Sequence, residues 1–198
     1  MEFQDVVHLR RMIRRYRTDP IPQEAVERIV SATLHGPSAG FSQGIDIIVV
    51  TEPETRQRIV ESLSDQPEPD HPLRAAPVQL VITADEDRYH RRYNEQDKLA
   101  LGGGKEIGWP VPYWFVDAGA AMMLTLLAAV DEGLGAGMYG HPDHVPRLQQ
   151  ILDMPSSVMP IGVIALGYNA EEPVSPERRQ RIRERRRPAS EAVHRERW

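Results

Sequence analysis

Nearly continuous runs of aliphatic and β-branched residues mark three segments of this chain, at 45–50, 78–84 and 158–166. Runs of this kind, with little polar alternation, are typical of strands that are buried on both faces of a sheet. A shorter run at 135–139 predicts a fourth strand. The hydrophobic pattern therefore predicts one central sheet that is covered on both sides.

Apolar residues at helical spacing separate these strands. They predict one helix that begins near Pro22, and a second that follows the first strand and carries Ile59. Segment 116–132 is apolar on nearly every face, which is typical of a helix in the core or in a subunit interface. Gly133 is predicted to end this helix, because glycine tolerates the left-handed conformation of a C-terminal cap.

Together these elements predict an α+β fold, a three-layer α/β/α sandwich in which helices flank one mixed central sheet. The length fits a single domain over residues 1–198. Segment 85–114 begins polar and ends in aromatic residues, and is predicted to be a lid-like excursion. Segment 169–198 is polar and arginine-rich, so we expect it to lie as an arm on a partner subunit.

Composition excludes several kinds of chemistry. The chain has no cysteine, which excludes disulfides, thiol nucleophiles and cysteine metal sites. Its net charge of −5 does not favour nucleic acid as a partner. The N-terminus lacks the apolar core of a signal peptide, and the apolar run 118–130 is too short to span a bilayer. We therefore expect a cytoplasmic protein with neither a membrane nor a nucleic-acid partner.

One short cluster has metal-ligand residue types, namely His141, Asp143 and His144. It lies at the predicted start of a helix, where capping is a sufficient reason for an aspartate. We therefore predict no metal site.

Four arginines near the N-terminus form the first candidate site. The apolar spacing around them predicts a short amphipathic helix that continues through Ile13. Arg10 and Arg14 would then share one helix face, with Arg11 and Arg15 as a second pair beside them. Neighbouring guanidinium groups favour an anion between them, and phosphate suits their bidentate donors. A solvated basic face is the alternative.

The second candidate site is the loop before the first strand. Pro37, Ser38 and Ala39 are small residues that allow backbone amides to approach a flat ligand closely. Gln43 follows them and could reach the polar edge of a ring. An ordinary turn is the alternative.

These segments, in this order, resemble the FMN-dependent nitroreductase family. Segment 10–16 resembles that family's arginine–x–serine–x–arginine/lysine signature, and segment 37–43 resembles its proline–serine–serine–x–asparagine–x–glutamine loop. The resemblance continues through most of the chain outside 64–114, in the stretches 117–119, 133–135, 161–168 and 186–188.

The resemblance implies a homodimer with a domain-swapped C-terminal arm and FMN bound at the interface. The residues that match its FMN contacts are Arg10, Arg11, Met12, Arg14, Pro37, Ser38, Ala39, Phe41, Gln43, Gly137, Met138, Tyr139, Gly140 and Arg186. Four aromatic residues are candidates to contact the substrate, with core packing of the lid as the alternative: Phe41, Trp109, Tyr113 and Trp114. No side chain is predicted as a general acid or base, because the flavin carries the redox step.

The activity implied is hydride transfer from NADH or NADPH, through flavin N5, to a nitroaromatic, a quinone or a similar acceptor. Two alternatives stay open. One is a flavoenzyme of the same fold with other chemistry, such as dehalogenation, dehydrogenation or flavin cleavage. The other is a non-catalytic protein that binds flavin or nucleic acid.

Three positions depart from the family pattern. Met12 replaces a serine, Phe41 replaces an asparagine and Gly44 replaces a proline. The first change removes a hydroxyl donor to phosphate, so we expect FMN affinity to depend mainly on the arginines. The second removes a polar contact at the flavin edge, which bears on the range of acceptors.

Overall fold

The computed structural model describes residues 1–63, 71–140 and 142–198. The elements follow one another in chain order: α1 Phe3–Leu9, α2 Gln23–Thr33, β1 Ile45–Val50, α3 Pro53–Ser62, α4 Pro72–Ala75, β2 Val78–Asp85, α5 Glu86–Tyr93, α6 Gln96–Leu101, α7 Tyr113–Asp131, β3 Gly135–Tyr139, α8 Val145–Ile151, β4 Val158–Gly167, α9 Pro176–Arg185 and α10 Ala189–Ala192. The proline-rich segment 64–77 before β2 is predicted from its sequence to be a loop; residues 64–70 lie outside the described residues, and the remainder contains the short helix α4.

The four strands form one sheet in the order β1-β2-β4-β3, and each neighbouring pair is antiparallel. The sheet predicted as mixed is thus antiparallel in its named strands. Within the described residues the one parallel pairing is an isolated bridge between Met12 and Ala136. That bridge brings the N-terminal segment to the β3 edge of the sheet.

Helices cover both faces of the sheet. On one face Leu80 and Ile82 of β2 pack in the cluster that includes residues of α2 and α7. Val81, which points to the opposite face, packs in the cluster with Ile59 of α3 and Leu148 of α8. All eight residues of β2 are buried, as expected for a central strand between two helical layers. The α+β class and the three layers are confirmed.

The central helix α7 begins at Tyr113, three residues before its predicted start. It ends as predicted at Gly133, whose φ of 72° permits a left-handed cap. The Gly133 N–H donates to the Val130 carbonyl at 2.9 Å, and the Leu134 N–H donates to the Ala129 carbonyl at 2.7 Å. By length and composition alone α7 could cross a membrane, but it packs against α2 and the sheet as a core helix does.

The predicted N-terminal helix through Ile13 is wrong in its second half. Helix α1 ends at Leu9, and the following residues run beside β3 instead. The Ile13 N–H donates to the Ala136 carbonyl at 2.9 Å, and the Arg17 N–H donates to the Tyr168 carbonyl at 2.9 Å. Pairing with the sheet edge and burial of Ile13 therefore outweigh the helical spacing of the sequence.

Arg10 and Arg14 still lie on one side of the chain, although the backbone that carries them is extended rather than helical. In extended backbone, residues two and four apart point to the same side. Met12, which lies between the two arginines, packs against the cluster that contains α7, whereas Ile13 packs on the other face of the sheet. Arg10 and Arg14 thus share a side with Met12, and Arg11 lies on the other.

The two peripheral segments are largely helical. The excursion 85–114 contains α5 and α6, followed by an irregular stretch that leads into α7. The arm 169–198 contains α9 and α10, and neither helix has a buried residue. The arm thus adds nothing to the core of its own chain.

Candidate functional site

The loop between α2 and β1 is held in an unusual backbone conformation. Residues Ala39–Phe41 form a tight 3-10 turn, and φ is positive at Gly40 (61°), Phe41 (60°) and Gln43 (53°). For the two residues with side chains this conformation costs about 1–2 kcal/mol each. Such strain persists only where the surroundings enforce it, which is typical of ligand-binding sites.

A buried carboxylate on α7 holds the loop in this conformation. Asp117 of α7 is 3% exposed, and its Oδ2 atom accepts hydrogen bonds from the Ala39 N–H at 2.8 Å and the Tyr89 hydroxyl at 2.7 Å. Burial, and then the bond to Asp117, raise the pKa of Tyr89 above its usual value, so the hydroxyl remains a donor. Within the loop, the Gln43 N–H donates to Ser38 Oγ at 2.8 Å.

Two arginines of α5 hold the same loop from the side. Arg92 Nε donates to the Gly40 carbonyl at 3.0 Å, and an Arg88 guanidinium nitrogen donates to the Gln43 carbonyl at 2.8 Å. Both carbonyls belong to the strained part of the loop. Side chains from two separate helices, α5 and α7, therefore hold the loop through hydrogen bonds to its backbone.

Close packing against α5 explains the glycine at position 44. A Cβ atom there would lie 2.3 Å from the Tyr89 ring, and one at Gly40 would lie 2.5 Å from the Tyr93 ring. Any larger residue, including the proline of the family pattern, would displace Tyr89 from Asp117. The glycine that replaces the family's proline at position 44 therefore leaves room for the Tyr89 ring.

Three aromatic candidates for substrate contact differ in exposure. Trp114 is 7% exposed and packs in a cluster with Tyr89 and the partly buried Trp109. Trp114 therefore belongs to the packed core of the lid, which is the alternative that the sequence left open. Tyr113 remains 43% exposed, so its ring is available to a ligand.

Phe41 is the most exposed of these aromatic side chains. Its ring is 77% exposed although its backbone is strained. An apolar ring on a rigid loop tip is suited to stacking on a flat molecule or to contact with a partner subunit.

Within the excursion, a polar network connects α5 to the irregular stretch that precedes α7. Glu106 Oε1 accepts from Trp109 Nε1 at 2.7 Å and lies 2.5 Å from His90 Nδ1, while its Oε2 accepts from Asn94 at 2.8 Å. His90 Nε2 lies 3.3 Å from Glu86. The bond to Glu106 raises the pKa of His90, and the bonds from Trp109 and then His90 lower the pKa of Glu106.

These shifts predict that the network loosens at high pH. The contribution of His90 is present while the imidazole is protonated and is lost as pH rises through its raised pKa, above 6.5. Protonated imidazole quenches neighbouring indoles, so we expect tryptophan fluorescence to increase through this transition. A His90→Gln variant should lack the transition. A midpoint at or below pH 6.5 in the unsubstituted protein would contradict the assignment.

The N-terminal segment packs tightly over β3. A Cβ atom at Gly137 would lie 2.2 Å from the Ile13 carbonyl oxygen and 2.8 Å from the Tyr16 hydroxyl. That hydroxyl donates to the Ile13 carbonyl at 2.6 Å. The neighbouring residues of β3 are more open, since Met138 is 45% exposed and Tyr139 is half-buried.

Four arginines that match the predicted phosphate contacts have guanidinium groups without an acidic partner among the described residues. In the described part of the chain, no carboxylate oxygen lies within 4 Å of a guanidinium nitrogen of Arg10, Arg11, Arg14 or Arg186. The Arg14 N–H donates to Glu171 Oε1 at 2.6 Å, which fixes its backbone and leaves its side chain exposed. No carboxylate within that distance offsets the positive charge of these guanidinium groups, as an anion site requires.

Arg11 and Arg186 meet in one groove of about 970 Å³ between α1 and the arm. Arg10, Met12 and Arg14 do not line this groove. The structure thus brings two of the predicted phosphate contacts together and places the other two arginines on the opposite side of the segment.

No group of three His, Asp or Glu side chains that could hold a metal occurs among the described residues. His141, the first member of the cluster considered above, lies outside them.

Comparison with known proteins identifies the family. The sequence model of the nitroreductase family matches residues 7–72 and 107–168, which include the N-terminal arginines, the strained loop, α7 and the sheet edge at β3. The chain belongs to the nitroreductase family. The resemblance drawn from the motifs is therefore confirmed, and the membership supports an oxidoreductase.

Individual nitroreductase-family relatives agree with this placement. The chain is 33% identical to an NADH dehydrogenase of Thermus thermophilus, over 82% of this chain and 84% of that protein. It is 30% identical to an NAD(P)H-dependent FMN reductase of Bacillus subtilis, over 81% of this chain and 63% of that protein. It shares the fold of an FMN-dependent nitroreductase of Clostridium difficile R20291, with a TM-score of 0.73, 20% identity, and 98% and 99% of the two chains covered.

Proposed function

We propose that this chain is an FMN-dependent oxidoreductase that transfers hydride from a reduced nicotinamide to a small acceptor such as a nitroaromatic or a quinone. The observation that carries the proposal is the set of uncompensated arginines on the N-terminal segment, inside the region that matches the family. Two relatives support the cofactor, since their names describe an FMN reductase and an FMN-dependent nitroreductase.

The residues present fit FMN. Its terminal phosphate is a dianion. Arg10 and Arg14 on one side of the N-terminal segment, and Arg11 and Arg186 in the groove on the other, offer bidentate donors that lack carboxylate partners in the described chain. Met12 supplies no hydroxyl, so the arginines would hold the phosphate alone. For the flavin ring, the loop 37–43 offers a rigid backbone whose small residues permit close approach.

The chemistry that FMN supplies when bound is acceptance of hydride at N5 from the donor and its delivery to the acceptor. The role of the protein is to bind the cofactor and to orient the reactants. Asp117 and Tyr89 keep the loop that would line the ring in one conformation. Phe41 and Tyr113 present exposed rings, and a planar acceptor that stacked on them would displace water from their surface.

We also propose that the working form is a homodimer. Along α7, Val116 and Met123 are seven residues apart and are 50% and 47% exposed, which gives this core helix an apolar outer face. Phe3 and Leu9 of the adjacent α1 are 67% and 58% exposed. Soluble monomers rarely expose apolar patches of this kind. A second copy would cover the patch, and the arm, which buries nothing in its own chain, would extend across it.

The absorbance spectrum of the purified protein tests the cofactor, and Arg14→Ala tests its placement. We expect bands of oxidised flavin that bleach with NADH or NADPH and return with a nitroaromatic or a quinone. Loss of charge-assisted contacts in Arg14→Ala should weaken FMN binding roughly tenfold or more. The fold should persist, because only the Arg14 backbone contacts Glu171.

Arg15→Ala is the matched control, since Arg15 is adjacent and exposed but lies outside the predicted contacts. A protein that stays colourless after incubation with FMN would refute the cofactor. Equal flavin affinity in the two variants would refute the placement of the phosphate.

A further inference from the structure

We propose that the groove between α1 and the arm binds the adenosine 2′-phosphate of the nicotinamide donor, which makes NADPH the preferred donor. The inference rests on the proposed function, because it assigns the donor that the sequence left open. It concerns Arg179, Arg183 and Arg187, which lie in the same groove as Arg11 and Arg186 but are not among the proposed FMN contacts.

The groove is strongly cationic. Its single carboxylate is that of Glu171. Five arginines and one histidine line it: Arg11, Arg179, Arg183, Arg186, Arg187 and His8. Glu171 Oε1 already accepts the Arg14 N–H. Guanidinium groups gathered in one groove repel one another unless an anion lies between them, so the groove is arranged for a ligand with more than one negative charge.

The sequence of α9 directs its arginines into the groove at helical spacing. Arg179 and Arg183 are four residues apart and share one face of α9, and Arg186 follows as the extended residue that ends the helix. Arg179 Nε is anchored to the Val174 carbonyl at 2.9 Å. Arg181 is on the same exposed helix but does not line the groove. Two of the five groove arginines therefore come from one face of α9, and two more follow directly after its C-terminal end.

Size and wall chemistry favour a nucleotide over a lone phosphate. The groove volume of about 970 Å³ is at the upper end of the range for small-molecule sites. Val174 and Ile182 contribute apolar wall beside the arginines, which suits an adenine ring. After Arg11 and Arg186 are assigned to FMN, three arginines remain: Arg179, Arg183 and Arg187.

Among nicotinamide donors, the 2′-phosphate is the feature that additional arginines would recognise. Arginine commonly accommodates this group where a carboxylate instead selects the free hydroxyl of NADH. NADPH carries the pyrophosphate and the 2′-phosphate together, whereas NADH carries the pyrophosphate alone. A groove with surplus arginines and one occupied carboxylate therefore discriminates in favour of NADPH.

The test compares donor preference in the FMN-loaded protein and in Arg183→Gln, with Arg181→Gln as the control on the same helix. We expect kcat/KM to be higher with NADPH than with NADH. Arg183→Gln should lower kcat/KM for NADPH about tenfold or more and leave the NADH value within about twofold. Arg181→Gln should change neither value. As a direct probe, adenosine 2′,5′-bisphosphate should inhibit competitively against NADPH and more strongly than 5′-ADP.

Several results would overturn the inference without touching the proposed function. They are equal use of both donors by the flavin-loaded protein, equal losses with both donors in Arg183→Gln, equal effects of the two variants, and equal inhibition by the two nucleotides. Loss of flavin absorbance in Arg183→Gln would also overturn it, because the groove would then belong to the FMN phosphate. Absence of flavin from the unsubstituted protein would instead refute the proposed function itself.

Discussion

Asp117→Ala is expected to lower the free energy of unfolding by on the order of 3 kcal/mol, since each buried donor left without an acceptor costs about 1–3 kcal/mol. The substitution removes the acceptor of both the Ala39 N–H and the Tyr89 hydroxyl. It should also weaken FMN binding, because the strained loop would lose its support from α7. Urea unfolding and FMN titration measure the two effects separately.

Tyr89→Phe keeps the experiment interpretable if Asp117→Ala fails to fold. It removes one donor to Asp117 but retains the ring that packs against Trp114 and Gly44. We expect a smaller loss of stability than for Asp117→Ala and a measurable loss of flavin affinity. Wild-type unfolding and wild-type flavin affinity in both variants would show that this contact does not hold the loop.

The strands could be predicted from the sequence because their residues are apolar whichever way they face. The predicted segments 78–84 and 158–166 each fall one residue short of β2 and β4. Helix α7 could be predicted for the same reason, since a run that is apolar on every face needs a covered position. Where burial is uniform, the hydrophobic pattern and the tertiary structure agree.

The N-terminal segment could not be predicted because its local spacing and its tertiary contacts disagree. The spacing of apolar residues through Ile13 fits a helix, but the backbone there pairs with Ala136 and Tyr168, far along the chain. Such pairing is decided by what lies beside the segment, which a local pattern does not contain. The pairing of Arg10 with Arg14 survived only because a spacing of four places residues on one side in both conformations.

Most of the residues that hold the loop of the candidate site could not be predicted from the sequence. Asp117 was noted only as part of a motif, although an acidic residue near the start of an otherwise apolar helix is a signal of a buried functional carboxylate. The contribution of Tyr89, Arg88 and Arg92 had no comparable signal. They lie on a polar helix, and their role appears only when α5 packs beside the loop.

Gly137→Ala is expected to reduce both stability and flavin binding. The added Cβ would lie 2.2 Å from the Ile13 carbonyl oxygen and 2.8 Å from the Tyr16 hydroxyl, so the N-terminal segment must move away from β3. That movement breaks the hydrogen bond from the Ile13 N–H to the Ala136 carbonyl. Overpacking costs about 1–3 kcal/mol, and a lost buried hydrogen bond adds a cost of similar size.

Gly140→Ala is the matched control directly after β3, because a Cβ there meets nothing closer than 3.6 Å. It should unfold at nearly the wild-type urea concentration. Gly137→Ala should unfold earlier and, since it displaces the segment that carries Arg10 and Arg14, should bind FMN more weakly even where it is fully folded. If Gly137→Ala loses stability but keeps wild-type flavin affinity, the docking of this segment and the phosphate site are independent, and the arginines there do not hold the cofactor.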